Sequence, residues 1–408
     1  MVDKLHKGFS KLSLDLTKDI DKDIKKNSGI FFTPPATIST TLQYLKEYNI
    51  NFNRILEPSC GSCEFITQIN KLYPTAHITG IELNQHIFNS IKSFQSPNVE
   101  LINIDFLNFN TEKTFDLIIG NPPYSVIKKD DINAIYYNYF EGRPNLFIIF
   151  IIKSLKMLSK NGVLSFIIPR NFMNCLYYEK TRKYINENFE ILKIVNCNDK
   201  YIETQQDTVL IIIENKKPND KIDNKYVLKI NEYIIFGSEE TIIKLKKLYV
   251  NTTTLSDMGF NTAIGSVVWN QCKKILTDDE SKTRLIYSSD INNETYYPKD
   301  YSNTDKKNYI NKTGYTKPIL IVNRGYGTGV YDFKYCIINE NTNKEYLIEN
   351  HLMYIIPPER MSMEESILEY KKIIQSFDDK RTREFISLYF GNSAINKTEL
   401  LNIIPIYN

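Results

Sequence analysis

The stretch FDLIIGNPPYSV, residues 115–126, decides how this chain is read. Phe115 to Ile119 has the run of apolar residues expected of a short buried strand, and Gly120 ends it. An amide (Asn121), two prolines (Pro122 and Pro123) and an aromatic ring (Tyr124) follow at once. A turn needs one proline, not two. Proline holds φ at about −65° and has no N–H to donate, so the pair presents carbonyls in a fixed direction beside an amide and a ring.

The surrounding sequence supplies the sheet that this stretch leaves. Apolar runs at 54–56, 78–81, 99–104, 115–119, 163–168, 191–195 and 208–213 alternate with helical segments such as Glu64 to Tyr73, His86 to Gln95 and Phe147 to Leu158. Such alternation predicts a mostly parallel sheet with helices on both faces and a ligand beyond the carboxyl ends of the strands. Asn161-Gly162 predicts a tight turn before the 163–168 run. Three strand ends have the chemistry of a nucleoside site. Glu57-Pro58-Ser59-Cys60-Gly61-Ser62-Cys63-Glu64-Phe65 puts small residues and a glycine where backbone amides approach a ligand at a helix N-terminus. Gly80-Ile81-Glu82-Leu83 sets a carboxylate at the next strand tip, suited to both hydroxyls of a ribose. Asp105-Phe106 offers an acceptor for an exocyclic amine and a neighbouring backbone amide. Each alone is a common cap or turn; three in succession before Asn-Pro-Pro-Tyr are not.

Composition narrows the class. The 408 residues, 42% hydrophobic and 24% charged, are enough for two globular cores. No apolar run has the length of a membrane span, and LFIIFII at 146–152, cut by Lys153, predicts a buried helix or strand. Met1 to Phe9 is polar and charged, unlike a signal peptide, so an intracellular location is expected. The net charge of +3 does not by itself announce nucleic acid. Six scattered cysteines with a single C-x-x-C (Cys60 to Cys63) and four histidines point to neither a disulfide framework nor a metal site. Leu5, Phe9, Leu12, Leu16, Ile20 and Ile24 predict one amphipathic helix over 4–26, docked on its own domain or on a partner, so monomer and dimer both stay open. The polar break Lys216 to Lys225 marks a boundary. Beyond it come short β-like runs over 260–360 and helical patterns at 363–377 and 380–390.

Taken together, these motifs resemble S-adenosylmethionine-dependent amino-methyltransferases, whose signature after the fourth strand is [DNS]-P-P-[YFW]. Gly29-Ile30-Phe31-Phe32-Thr33-Pro34 is similar to the segment before the first strand in adenine-N6 DNA methyltransferases of the gamma order, the TaqI-type enzymes. Asn145-Leu146-Phe147 and Phe150 resemble the family's next motif, and Pro318 to Val322 with Arg324-Gly325-Tyr326-Gly327-Thr328 resembles its later β-region and DNA-facing loop. The first loop departs from the pattern at Glu64, where a small residue or proline is usual. The resemblance implies a Rossmann-like class I methyltransferase fold with a seven-stranded mostly parallel sheet, and an irregular α+β target recognition domain at the C-terminus. It divides the chain into an N-terminal helical segment (1–28), a catalytic domain (29–225) and the recognition domain (226–408). It also implies S-adenosylmethionine held by Phe32, Thr33, Glu57, Ser59, Cys60, Gly61, Glu82, Leu83, Asp105, Phe106, Asn121 and Phe150.

An adenine amine is a poor nucleophile because its lone pair is delocalised into the ring. Acceptors on both N–H bonds pull the nitrogen towards tetrahedral geometry, and the Asn121 oxygen with the Pro122 carbonyl suits that task. Pro123 fixes the loop, and Tyr124 is expected to stack on the base. In double-stranded DNA the base has to be flipped out. Tyr201, in the hairpin Asn198 to Ile202, is the expected second wall, with Lys128, Lys129 and Arg143 on phosphates and Arg324 and Tyr326 reading the duplex. The same clamp fits an adenosine in RNA, a protein glutamine amide, or a DNA-binding subunit whose pocket is dead. No residues remain for a fused nuclease, so any cognate restriction endonuclease is expected to be a separate protein.

Overall fold

The computed structural model describes residues 8–407, except 49, 200, 205, 220–222, 293, 302, 304, 325–331, 339–343 and 391–393. The chain forms two compact units, one through Ile242 and one from Ile243 onward. In the first, seven strands lie in the order β3-β2-β1-β4-β5-β7-β6: β1 Arg54–Glu57, β2 His77–Ile81, β3 Val99–Ile102, β4 Phe115–Gly120, β5 Leu158–Pro169, β6 Glu190–Cys197 and β7 Thr208–Glu214. All neighbours pair in parallel except β7, which runs against both β5 and β6. The order reverses between β1 and β4, the crevice where open α/β sheets hold ligands.

Strand β4 shows why the apolar run folds this way. Leu117 and Ile119 enter the core on one sheet face, under α3 (Pro35–Glu47), α4 (Glu64–Leu72) and α5 (Gln85–Ile91). Phe115 and Ile118 enter the other, under α6 (Leu146–Met157) and α7 (Glu179–Asn188). Both faces are covered, so the strand reads as a continuous apolar run. The turn expected at Asn161-Gly162 is absorbed into β5, whose pairing with β4 jumps from Phe115↔Leu158 to Leu117↔Val163, with Asn161 at φ 60°. Helix α6 is buried nearly all round, and Lys153 is accommodated because its ammonium donates to the carbonyls of Leu107 (2.9 Å) and Phe109 (2.7 Å). Among the described residues no helix is long and apolar enough to cross a membrane.

Two expectations change. The single helix over 4–26 is two, α1 (Lys11–Asp19) and α2 (Lys22–Ser28), because Asp21 accepts from the amides of Asp23 and Ile24 and starts a new helix. The first unit also runs past Lys225. A hairpin of Val227–Ile230 and Tyr233–Phe236 packs Val227, Ile234 and Phe236 into its core. Buried Arg182 donates to the Ile234 carbonyl at 2.6 Å, while Glu179 accepts from the Ile234 amide at 2.8 Å.

The second unit has a four-stranded antiparallel sheet in the order Asn261–Ile264, Leu352–Ile356, Ile319–Asn323, Tyr335–Ile338. Its helices include Met363–Asp378, opened by a Ser362–Glu365 capping box, and Lys380–Tyr389.

Candidate active site

The carboxyl ends of β1, β2, β3 and β4 surround a cavity of about 290 Å³, at the small end for ligand pockets. Gly29 to Phe32, Ser59, Gly61, Glu82, Leu83, Asp105, Phe106, Asn121, Pro123 and Phe150 line it. Thr33, Glu57 and Cys60 line an adjoining recess that also reaches Asn121. All twelve residues expected to hold a cofactor therefore converge on one place. Asn27, Ser28, Asn84 and Ile127 join them, none marked by a motif, as does Leu146 of the Asn145-Leu146-Phe147 stretch.

Glu82 is buried at the tip of β2, and its carboxylate accepts from the amides of Gly61 (2.9 Å) and Asn84 (2.7 Å). Burial pushes it up to about 7 against those two amides. In the loop after β1 two amides turn inward: Cys60 N–H donates to the Ile81 carbonyl (2.8 Å) and Gly61 N–H to Glu82. Glu64 explains its own presence: it accepts from the Ser13 hydroxyl (2.6 Å) and the Ser10 amide (3.3 Å) and so fastens α1 to the start of α4. Burial also raises the Glu57 carboxyl well above its usual range, and its Oε2 has no partner among the described residues. Asp105 Oδ1 accepts from the Leu107 amide at 2.8 Å, fixing the carboxylate at the cavity edge. Phe106 and Phe150 stand 4.8 Å apart as one wall, and Leu83, 65% exposed, forms an uncovered apolar lip.

The Asn121 amide is held on both sides. Its Nδ2 donates to Thr33 Oγ1 (3.1 Å) and the Phe31 carbonyl (3.4 Å), and the Tyr201 hydroxyl lies at 3.5 Å. Its Oδ1 accepts from the Tyr124 hydroxyl at 2.6 Å. That hydroxyl has one proton and a second acceptor, the Ile167 carbonyl at 3.0 Å. The Tyr124 ring meets Phe147 edge-on at 6.1 Å, and burial pushes both Tyr124 and Tyr201 above the usual phenol range. Pro122 is buried, and Gly29 lies against Pro123.

Tyr201, only 4% exposed, reaches the site from the β6–β7 connection. That connection is tied down by Lys25 with Glu203 (2.8 Å) and by the Thr37 hydroxyl on Asp199 (2.7 Å). Lys128, Lys129 and Arg143 are exposed on the loop after β4, with the Lys129 ammonium 4.4 Å from the Tyr137 ring centre. In the second unit Arg324 donates to the Asn350 carbonyl at 3.2 Å. Tyr326 and its neighbours in the expected DNA-facing loop lie outside the described residues. Among the described residues no group of three or more His, Cys, Asp or Glu could hold a metal ion.

The strand order, the cavity at its reversal and the Asn-Pro-Pro-Tyr loop define the class I S-adenosylmethionine-dependent methyltransferase fold. Residues 7–202 match the family of the Eco57I restriction-modification methylase. Along almost its whole length the chain is also homologous to Type II methyltransferases of viruses. It is 26% identical over 416 residues to Type II methyltransferase M.CvrRI of Paramecium bursaria Chlorella virus XZ-6E, covering 98% of this chain and 100% of that protein. It is 28% identical over 418 residues to modification methylase CviBIII of Paramecium bursaria Chlorella virus NC1A, covering 98% and 99%. Among solved structures it is similar to the type IIG restriction endonuclease BpuSI, with a TM-score of 0.46 at 9% identity over 97% of this chain and 60% of that one.

Proposed function

We propose that the protein is a site-specific DNA methyltransferase that moves a methyl group from S-adenosylmethionine to the N6 amine of a flipped-out adenine, in the manner of the TaqI-type enzymes. The observation that carries this reading is the Asn121 amide, turned with Nδ2 into the protein and Oδ1 towards the Tyr124 hydroxyl, beside a cavity with a buried acid at one strand tip. The homology to Type II methyltransferases supports DNA as the substrate.

The donor supplies an electrophilic methyl group on a sulfonium. Glu82 would accept the ribose hydroxyls of the donor, Leu83 would pack on its purine, and Asp105 with the Phe106 amide would meet the exocyclic amine. Phe150, backed by Phe106, would add an aromatic wall to the donor site. On the acceptor side, Asn121 Oδ1 and the Pro122 carbonyl each accept one N–H of the adenine amine, so its lone pair localises on nitrogen. The incoming amine takes the place of the Tyr124 hydroxyl on Oδ1, and that hydroxyl keeps the Ile167 carbonyl. The exchange leaves no polar group unpaired, which keeps it inexpensive. Tyr124 and Tyr201 flank the base. Lys128, Lys129 and Arg143 meet the phosphates, and the second unit, with Arg324 and Tyr326, selects the sequence. No general base is required, since water takes the proton of the acidic product ammonium.

The test is transfer of labelled methyl from S-adenosylmethionine to unmethylated genomic DNA, total RNA and a protein extract in parallel. Wild-type protein is expected to label DNA alone, recovered as N6-methyladenine. Asn121→Ala is expected to keep cofactor affinity within about threefold and lose at least about 10²-fold in transfer, as when one oriented polar group is removed. Label in RNA or in glutamine would overturn the substrate, and a fully active Asn121→Ala would overturn the clamp.

A further inference from the structure

We infer that Thr33 is a positioning residue for the Asn121 amide and not primarily a contact for the cofactor; this rests on the clamp proposed above. Thr33 is 7% exposed, and its Oγ1 stands 3.1 Å from Asn121 Nδ2, across 88 residues of chain. The second N–H of the same amide faces the Phe31 carbonyl at 3.4 Å. A carbonyl accepts only, so an amide rotated by half a turn would set oxygen against oxygen there. Phe31 therefore decides which amide atom faces inward, and Thr33, at the shorter distance, fixes where it sits. Oδ1 is the atom left for the substrate.

The segment carrying both acceptors is itself held. Gly29 lies under Pro123, close enough that any side chain would collide with it, and Phe31 and Thr33 meet Asn121, so the run from Gly29 to Pro34 backs the catalytic loop at both points. Glu64 anchors α1, and Lys25 anchors α2 to Glu203. The run is thus a template against which the Asn121 loop is set, and Thr33 is its polar contact point. A residue acting only on the donor would change cofactor affinity. One that orients the amide would change turnover.

The experiment compares Thr33→Val, which keeps the shape and loses the acceptor, with Thr33→Ser, which keeps the hydroxyl. Cofactor affinity is read by calorimetry, kcat by methyl transfer to DNA, and the Asn121 side-chain amide by ¹⁵N–¹H NMR, assigned by its loss in Asn121→Ala. Thr33→Val is expected to lower kcat by about 10- to 100-fold, the scale of a small misplacement of a reacting group. It should leave cofactor affinity within about threefold and shift the Asn121 amide resonances. Thr33→Ser is expected to restore most of the turnover and the wild-type resonances. Should Thr33→Val not fold, Thr33→Cys takes its place, since a thiol is a weak acceptor. Wild-type kcat in Thr33→Val, unmoved Asn121 resonances, or a loss confined to cofactor affinity would each overturn the inference. Wild-type protein that methylates no adenine would instead overturn the proposed function, and the resonances would still decide the role of Thr33.

Discussion

Replacing Gly29 by alanine tests whether the N-terminal segment sets the geometry of the catalytic loop. Gly29 closes α2 in the left-handed region, at φ 67° and ψ 31°. A Cβ built there stands 2.9 Å from Pro123 Cβ, 3.0 Å from Tyr124 N and 3.2 Å from Pro123 Cα. Two costs add. The left-handed conformation costs an L-residue about 1–2 kcal/mol. Crowding a packed contact costs about 1–3 kcal/mol, here against a proline ring and backbone that cannot swing aside. The sum is about 2–5 kcal/mol. For a unit of about 150–250 residues each kcal/mol lowers Tm by about 2–4 °C, so a fall of about 4–20 °C is expected. The loop is also pushed by several tenths of an ångström. Because about 1 Å of misplacement costs about 10²-fold, kcat should drop about tenfold. The control is Gly259→Ala in the second unit, at φ 82° with its nearest contact at 3.5 Å, which carries the backbone cost without the clash. Thermal unfolding and single-turnover methyl transfer, run well below both melting points, give the two readouts. Wild-type turnover in Gly29→Ala, or an equal loss in Gly259→Ala, would refute the reasoning.

Two further outcomes follow from buried charge. Burial pushes Glu82 up to about 7, and in the proposed donor site the ionised form is the better acceptor for two ribose hydroxyls. Calorimetric cofactor affinity should therefore fall about tenfold from pH 8 to pH 6, and Glu82→Gln should bind weakly with no such dependence. In the cofactor-free protein the sign reverses: the raised Glu82 contributes stability below the ordinary carboxylate range and loses it as pH rises through about 7. Arg182 is fully buried and bonded to Glu179 at 2.6 Å and to the carbonyls of Phe172, Cys175 and Ile234. Arg182→Ala leaves Glu179 buried without its guanidinium partner, with only the Ile234 amide and the Lys183 ammonium at 3.9 Å, which should cost about 3–5 kcal/mol in chemical denaturation.

Strands β1, β2, β4, β5 and β7 were legible because a strand buried on both faces writes itself as an apolar run, while the edge strands β3 and β6 bury only part of theirs. The carboxylates at their tips were legible because they stand at the ends of those runs. Helix breaks were less so: α1 and α2 share one apolar stripe, and only Asp21 accepting two amides divides them. KNSG at 26–29 did carry the signal of a helix ending on glycine, but not that Pro123 would lie against it. The hairpin at 227–236 was read across a polar break, since nothing local announces that Arg182 will hold it.

The sequence by itself determined the sheet, the cavity at its strand ends, Glu82, Asp105 and the Asn-Pro-Pro-Tyr loop, because backbone periodicity and strand-end chemistry are local properties. Tertiary structure alone decided that the Asn121 amide would find Thr33 and Tyr201, 88 and 80 residues away. It alone decided that Glu82 would bind the amide of Gly61, 21 residues before it. Those pairings depend on where packing brings separate segments, and no spacing along the chain encodes that.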